Sequence, residues 1–364
     1  MVNDPGWTSF DLMCMNRALF HASRGRGLTS PNPMVGAVVA SRDRIVVGQG
    51  FHERAGGPHA EVNALEEAGE DSAGATLYCT LEPCSHHGRT PPCVTRIVDA
   101  GITRVVAAVE DPNPLVRGSG FAFLRAHGVA VEVGLGAHDA AALNQPFFTR
   151  IHNGRPFVIL KAAVSIDGCI AERPGRRTEL TSAVASRHAH GMRAEIDAIG
   201  VGVGTILADD PLLTARGPFR ARPLTRVIFD RRLRTPPTAR VLSTRDAGPV
   251  IIITTPSAVR PDLRKPLEEA GAELLTAPAG PLANALKLLA DRDIASLLLE
   301  GGAVLHKAAW EEKVVDYVQV YVTPKALGGQ GVRWPGFSTA ALVDRRVGTL
   351  GPDVLIEGYV HGHR

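Results

Sequence analysis

The sequence predicts an α/β protein built as two successive domains, and three observations carry that prediction. Short apolar runs alternate with helical patterns along the whole chain, as in a sheet layered with helices. The length of 364 residues, 45% of them hydrophobic, suffices for two cores of about 150 to 200 residues each. Strand periodicity is lost between Gly136 and Arg155, where Asn144-Gln145-Pro146 and His152-Asn153-Gly154-Arg155-Pro156 read as a short helix and a linker. The boundary is therefore set near Ile151, with domains over 1–150 and 151–364.

In the first domain, Met34–Val39, Ala75–Leu81, Ile102–Val109 and Val129–Val133 read as strands, and 9–24, 60–69, 93–100 and 117–127 as helices. A central sheet covered on both faces follows, with active residues at strand ends and helix starts. Pro83 blocks further ladder pairing after the run that ends at Leu81 and leaves Cys84 at a strand-to-loop edge. Pro91-Pro92 precedes the amphipathic stretch Val94–Val98, so Cys93 falls on the first turn of a helix, where the dipole favours a thiolate. His59 precedes the helical run Glu61–Ala68, placing His59 and Glu61 at another helix start.

In the second domain the strands are Phe157–Val164, Ala198–Val203, Arg226–Asp230, Val250–Thr254, Ser296–Glu300, Val315–Val322 and Val354–Val360. Gly301-Gly302 follows one of them and opens the helical run Ala303–Trp310, so backbone N–H groups can face a pyrophosphate. Gly202-Val203-Gly204-Thr205 offers a second close backbone approach. Periodicity alone does not separate this domain from other nucleotide-binding sheets.

Composition excludes several classes. No apolar run approaches the roughly 20 residues of a membrane span, so no membrane partner is expected. The net charge of +3 is nearly balanced between 40 basic and 37 acidic side chains, which argues against a nucleic acid held through its phosphates. Eight arginines crowd the stretch Arg216–Arg240, but prolines interrupt it. It reads as a solvated face, one or two of whose members bind a small phosphate. Aromatic side chains, at 5%, leave few stacking platforms for single strands. Five cysteines, unevenly spaced and with no signal-peptide pattern before them, fit a reducing cytoplasm better than a disulfide scaffold. Cys14, Cys79 and Cys169 read as small buried hydrophobes, and His86 and His87 as polar loop residues.

His59, Cys84 and Cys93 have the chemistry of a zinc site. One imidazole and two thiolates fill three positions of a tetrahedral Zn²⁺ and leave the fourth open, which separates catalytic from structural zinc. Glu61, two residues from a ligand, is placed to carry a proton from water to a leaving amine. The pattern His-x-Glu, Pro-Cys, Cys is similar to the zinc deaminase signature.

Deaminases of free cytidine or of nucleic acid bases usually close this site with Cys-x-x-Cys, whereas eight residues, Ser85 to Pro92, separate the thiolates here. With Pro31–Val39, Gly50-x-His52, His59–Leu65 and Thr80–Cys93, that insertion resembles the bifunctional riboflavin biosynthesis family, a pyrimidine deaminase fused to a reductase. The resemblance continues through Lys161–Gly168, Arg193-x-x-x-Asp197, Gly202–Arg216, Val227–Asp230 and Glu300-Gly301-Gly302. It implies a three-layer cytidine-deaminase-like domain followed by a dihydrofolate-reductase-like one. The implied substrate is a diaminopyrimidinone carrying ribosylamine 5-phosphate; its ring 2-amino group is replaced by oxygen, and its ribosyl group is then reduced to ribityl. Zn²⁺ and NADPH are the implied cofactors, and since enzymes fused in this way are often multimers, a homo-oligomer fits.

By the same resemblance Glu61 is catalytic, and Asn32, His52 and Arg89 contact substrate. Lys161, Asp209 and Glu300 line the reductase centre, with Glu300 also touching substrate. Arg193 and Arg216 hold the substrate phosphate with Leu213 beside them, while Thr205, Asp209, Gly301 and Gly302 border the cofactor. One segment departs: where the family usually has Ser-x-Trp-Ile-Thr-Ser, this chain has Arg177-Thr178-Glu179-Leu180-Thr181-Ser182. A carboxylate in place of an indole beside a polyanionic cofactor predicts slow or weak-affinity reduction, or at the limit an inactive second domain. An RNA base deaminase with a C-terminal binding module would need the short cysteine spacing and a continuous basic face, and the chain has neither.

Overall fold

The run Gly36–Ala40 (β1) is buried at every position and lies inside a five-stranded sheet in the computed structural model, which describes residues 6–85, 92–114, 116–335 and 339–362. Before it, helix α1 (Ser9–Ser23) starts from a capping box: the Thr8 hydroxyl accepts from the Asp11 N–H, and the Asp11 carboxylate accepts from the Thr8 N–H. β1 pairs antiparallel with β2 (Val46–Phe51) and with β3 (Thr76–Cys79). β4 (Arg104–Ala107) and β5 (Ala130–Val133) extend the sheet in parallel, in the order β2-β1-β3-β4-β5.

Helices α2 (Ala60–Ala68), α3 (Cys93–Asp99) and α4 (Ser119–Ala126) pack on one face around Ala64, Leu77, Ile97 and Leu124. On the other face, α1 and α5 (Ala137–Leu143) enclose Cys14, Val38, Tyr78 and Ala140. This is the three-layer arrangement that the sequence predicts. Strand β2 escapes the sequence reading because Gly48 and Gly50 erase its pattern. A Cβ on Gly48 would lie 2.2 Å from the Ala64 carbonyl oxygen, and one on Gly50 would lie 2.6 Å from Asn63 Cβ. Glycine is thus what lets α2 rest on the sheet.

The chain divides into two compact units, one ending at Asn153 and the other spanning Gly154–Gly362. The segment read as a short helix and linker holds α5 and a further helix, α6 (Gln145–Asn153), which contains Ile151. Asn144 between them is buried, its Oδ1 accepting from the Met34 N–H at 2.7 Å and its Nδ2 donating to the Met34 carbonyl at 2.8 Å.

The second unit contains β6 (Phe157–Ser165), β7 (Cys169–Ala171), α7 (Ala183–Glu195), β8 (Ala198–Gly202), α8 (Val203–Asp209), β9 (Thr225–Phe229) and β10 (Val250–Thr254). Then come α9 (Pro261–Glu269), β11 (Ala272–Thr276), α10 (Leu282–Ala290), β12 (Ser296–Glu300) and α11 (Ala303–Glu311). The last strands are β13 (Tyr317–Thr323), β14 (Val332–Arg333), β15 (Val343–Leu350) and β16 (Asp353–Tyr359). Nine strands form one sheet in the order β11-β10-β9-β8-β12-β6-β13-β16-β15, parallel as far as β13 and antiparallel beyond it, while β7 and β14 pair as a separate ribbon. β15 was missed because seven of its eight positions are exposed, so it shows no apolar alternation.

The arginine-rich stretch is a solvated face only in part: Arg216, Arg231, Arg232, Arg234 and Arg240 are exposed, whereas Arg220, Arg222 and Arg226 are drawn into the fold. Arg226 on β9 is fully buried and donates to Val241 O, Thr244 Oγ1 and Gly248 O. Arg220 donates to the carbonyls of Arg193 and Ala194 at the end of α7, and Arg222 pairs with Asp197 at 3.1 Å. Arg220 and Arg226 thereby satisfy helix-end and loop carbonyls that the backbone leaves without partners. Among the described residues no helix is long and apolar enough to cross a membrane.

Candidate active sites

His59 is the residue that caps α2, with φ −76° and ψ 160°, and its side chain makes no capping bond, so the imidazole is free to turn elsewhere. It turns toward two sulfurs: Nδ1 lies 3.2 Å from Cys93 Sγ and 3.4 Å from Cys84 Sγ. Cys93 opens α3 behind Pro92, as its position in the sequence predicts, and Cys84 lies in the loop after β3. The Cys93 backbone N–H donates to Cys84 Sγ at 3.3 Å, and the Val94 N–H donates to the Cys84 carbonyl at 3.2 Å. Cys93 and His59 hold the Cys84 thiol well below its ordinary range.

The candidate donor atoms of these three residues lie within 4.8 Å of one another. Tetrahedral zinc with Zn–N of about 2.0 Å and Zn–S of about 2.3 Å separates nitrogen from sulfur by about 3.5 Å. The observed spacing fits that ion.

Glu61, on the first turn of α2, is 3% exposed, and burial pushes its carboxyl up to about 7. A cavity of about 260 Å³ opens before it, lined among others by Asn32, His52, His59, Glu61 and Cys84. His52 is buried, and its Nδ1 faces the Pro58 carbonyl at 2.9 Å, so that nitrogen must carry the proton. Its Nε2 then accepts from Asn32 Nδ2 at 3.2 Å. Burial also lowers the pKa of His52, which favours the neutral ring. Arg89, together with His86 and His87, lies outside the described residues.

The sequence reading gave no part to Glu82, Asp111 or Asn113, which also line this cavity. Glu82 is buried and accepts four backbone N–H groups, from Asp111 at 3.2 Å, Gly118 at 2.9 Å, Gly120 at 2.9 Å and Phe121 at 3.3 Å. It thereby gathers the 111–121 segment against the cavity. Asp111-Pro112-Asn113-Pro114 is a turn signal directly after a strand, and it could have been noticed. In Glu82→Ala the four donors lose their acceptor, and the first unit should lose about 3 kcal/mol or more of stability. Urea unfolding read separately for each domain checks this, with the transition of the second expected to stay in place.

In the second unit the site is assembled by strand register. β12 pairs in parallel with β6 so that Glu300 stands opposite Lys161, with Lys161 Nζ 3.7 Å from Glu300 Oε2. β6 is an interior strand, so Lys161 is not an edge residue reaching for solvent. Glu300 makes no cap on α11; it takes a bidentate pair from Arg193, with Nε to Oε1 at 2.7 Å and an Nη to Oε2 at 2.8 Å. Burial alone would raise the Glu300 pKa, but Arg193 and then Lys161 outweigh it and bring it down to about 2.

Arg193 also donates to the Thr214 carbonyl at 2.9 Å, so three of its N–H groups are engaged within the protein. Arg216 donates its backbone N–H to His190 Nδ1 at 3.1 Å. Arg177, Arg193, Arg216 and Arg240 surround a cavity of about 190 Å³ whose other charged wall residue is Asp209. Arg177 and Arg240 were not read as site residues. Leu213 lines the same cavity, buried and with φ +54°, a backbone region that costs a branched side chain strain.

A second cavity of about 370 Å³ holds Lys161, Thr205, Asp209, Glu300, Gly301, Gly302 and His306 on its wall. Gly301 and Gly302 have φ +81° and +86°, and a Cβ on Gly301 would lie 3.0 Å from Thr205 Oγ1. This bare turn, at the start of the nine-residue helix α11, fits the phosphates of a dinucleotide. Burial raises the Asp209 pKa. The Glu179 side chain is 84% exposed and 4.0 Å from Arg177, so its charge is largely solvated.

Residues 8–109 match the family described as the cytidine and deoxycytidylate deaminase zinc-binding region, and residues 156–356 match the RibD C-terminal domain. The riboflavin biosynthesis protein RibD of Aquifex aeolicus is 43% identical over 314 residues, 86% of this chain and 87% of that protein. RibD of Acinetobacter baumannii has a similar solved structure, with a TM-score of 0.84 at 36% identity over 96% of this chain and 98% of that one. A diaminohydroxyphosphoribosylaminopyrimidine deaminase/5-amino-6-(5-phosphoribosylamino)uracil reductase from Thermotoga maritima gives a TM-score of 0.82 at 34% identity, again over 96% and 98%.

These matches span a cytidine-deaminase-like and a dihydrofolate-reductase-like domain, and they favour neither an inactive second domain nor an RNA base deaminase. The chain belongs to the RibD family of riboflavin biosynthesis, bifunctional enzymes that join a zinc-dependent deaminase to an NADPH-dependent reductase.

Proposed function

We propose that the first domain hydrolyses the 2-amino group of 2,5-diamino-6-ribosylamino-4-pyrimidinone 5′-phosphate, and that the second then reduces the ribosyl group to ribityl. The observation that carries this reading is the convergence of His59, Cys84 and Cys93 beside a buried Glu61 on one cavity wall. Water adds its oxygen at the ring carbon, and the exocyclic nitrogen leaves as ammonia. Zinc held by His59, Cys84 and Cys93 would supply the Lewis acidity that makes water nucleophilic near neutral pH.

Glu61 takes a proton from the attacking water on its carboxylate and delivers it to the departing nitrogen. Asn32 and His52 seat the pyrimidine, the His52 tautomer fixing which way the Asn32 amide faces. Arg89 is proposed as a phosphate contact by resemblance alone.

In the second domain, NADPH supplies the hydride, and Gly301, Gly302, Thr205 and Asp209 border its place. Arg216, with Arg177 and Arg240, meets the substrate phosphate, and Leu213 packs beside it. Arg193 faces the same cavity, but its charge is balanced by Glu300. The Lys161 ammonium offers the proton that the ring-opened ribosyl oxygen needs, and Glu300, kept ionised by Arg193, holds Lys161 in place beside the acceptor carbon. The cysteines are all unpaired, which suits a cytoplasmic enzyme acting on small molecules.

One paired assay tests both halves. With the diaminopyrimidine phosphate, the protein should release ammonia without NADPH and should oxidise NADPH only after that release. Saturation at low cofactor concentration would set aside the weakened reduction that Glu179 suggested from sequence. Oxidation of NADPH with no preceding ammonia release would contradict the assigned order.

A further inference from the structure

The cavity proposed for NADPH has two walls that come from different parts of the second unit. One is the glycine turn with Thr205 and the start of α11; the other includes Ile170 and Ala171 of β7 and Val332 of β14. We propose that His306 is a positioning residue for the cofactor, because its imidazole holds Trp334, and with it the β7–β14 ribbon, at a set distance from the glycine turn.

His306 stands on the first turns of α11, four residues after Gly302, and its backbone N–H donates to the Gly302 carbonyl at 3.0 Å. The residue lines the cavity yet is only 2% exposed. Its Nδ1 lies 3.2 Å from Trp334 Nε1. An indole nitrogen only donates, so Nδ1 must be the unprotonated nitrogen of a neutral ring. Burial favours that state by lowering the pKa of His306 to about 4.

The far end of the bond is equally well tied. The Trp334 backbone N–H donates to the Gly168 carbonyl at 3.0 Å, directly before β7, and Arg333 pairs with Cys169 in the ribbon. Asp167 accepts from Leu327 and Gly328 N–H at 3.0 and 2.7 Å, holding the start of the same segment. A Cβ on Gly331 would lie 2.6 Å from Cys169 Sγ, so β14 lies close over β7. The ribbon therefore moves as a piece, and the bond from Trp334 to His306 fixes that piece to the helix that follows the two glycines. With the bond intact, the cleft has its width before the cofactor enters. Without it, ordering the ribbon becomes part of binding and weakens it.

The inference rests on the reading of this cavity as the NADPH site, and the test separates the two. NADPH binding to the full chain is measured directly by fluorescence titration for wild type, His306→Leu, Trp334→Phe and the double variant. Deuterium exchange over 325–335 is followed without cofactor. Trp334→Phe keeps an aromatic side chain while removing the indole N–H and one fused ring, and kcat at saturating NADPH reports an intact second unit in every variant.

Each single variant should bind NADPH about five- to tenfold more weakly, and the double variant should be no weaker than either. Exchange over 325–335 should be faster in all three, with kcat at saturating NADPH within about twofold of wild type. Wild-type affinity in either single variant, unchanged exchange, or losses that multiply in the double variant would overturn the positioning role. Failure of the wild-type chain to bind NADPH would overturn the reading of the cavity itself.

Discussion

Glu61→Gln is expected to retain zinc while ammonia release falls by about 10² to 10⁴-fold, the range that a positioned general acid–base contributes. The amide keeps the size of the carboxylate and most of its packing on α2. It cannot accept a proton and return it. Glu61 is 3% exposed, and burial brings its carboxyl up to about 7, so it can exist in either protonation state near neutrality without a large penalty. The same variant should reduce the already deaminated intermediate at the wild-type rate, because the second domain is a separate unit with its own core. Undiminished ammonia release from zinc-loaded Glu61→Gln would remove this residue from the chemistry.

Glu300→Gln is expected to be nearly as damaging in the other half. The carboxylate balances Arg193 through two short hydrogen bonds and Lys161 at 3.7 Å, all three side chains being largely shielded from water. Without its charge, Lys161 on β6 and Arg193 on α7 are left as two shielded cations with no anion between them. Breaking a buried pair on one side costs about 3 to 5 kcal/mol, so the second unit should unfold at markedly lower urea and reduction should be lost. Acid should narrow the difference. Glu300 sits at about 2 in the folded protein against an ordinary 4.5, so its stabilisation is whole above the ordinary value and disappears as pH falls toward 2. Wild type and variant should therefore converge in stability between pH 5 and pH 2 on a scale of about one to two pH units per tenfold change in population. Parallel curves across that window would show that the charge of Glu300 does not act as described.

The parts of this molecule that were legible in sequence share a local cause. Cys93 behind two prolines and His59 before an alanine-rich helical run each carry their position in their immediate neighbours, because caps and first turns are set within a few residues. Gly301-Gly302 between an apolar strand and a helix is of the same kind. What stayed hidden depends on distant chain. The approach of Lys161 to Glu300 comes from strand register across 139 positions of sequence, and no local pattern encodes it. Arg193 was assigned to a phosphate from its motif, yet the fold gives it Glu300 as a partner. Glu82 and Asn144 read as ordinary polar residues because their partners are distant backbone groups, N–H for Glu82 and both N–H and carbonyl for Asn144, which sequence does not display. β2 was hidden by glycines needed for packing, and β15 by exposure, two opposite ways of losing an apolar alternation.

Zinc K-edge absorption spectroscopy on the protein purified without chelators tests whether His59, Cys84 and Cys93 together hold one zinc ion. Two sulfur scatterers are expected at about 2.3 Å, with the remaining shell made of nitrogen and oxygen at about 2.0 to 2.1 Å, and one sulfur lost in Cys84→Ser. A shell of three or four sulfurs, a shell with none, or ammonia release from metal-free protein would contradict that zinc site.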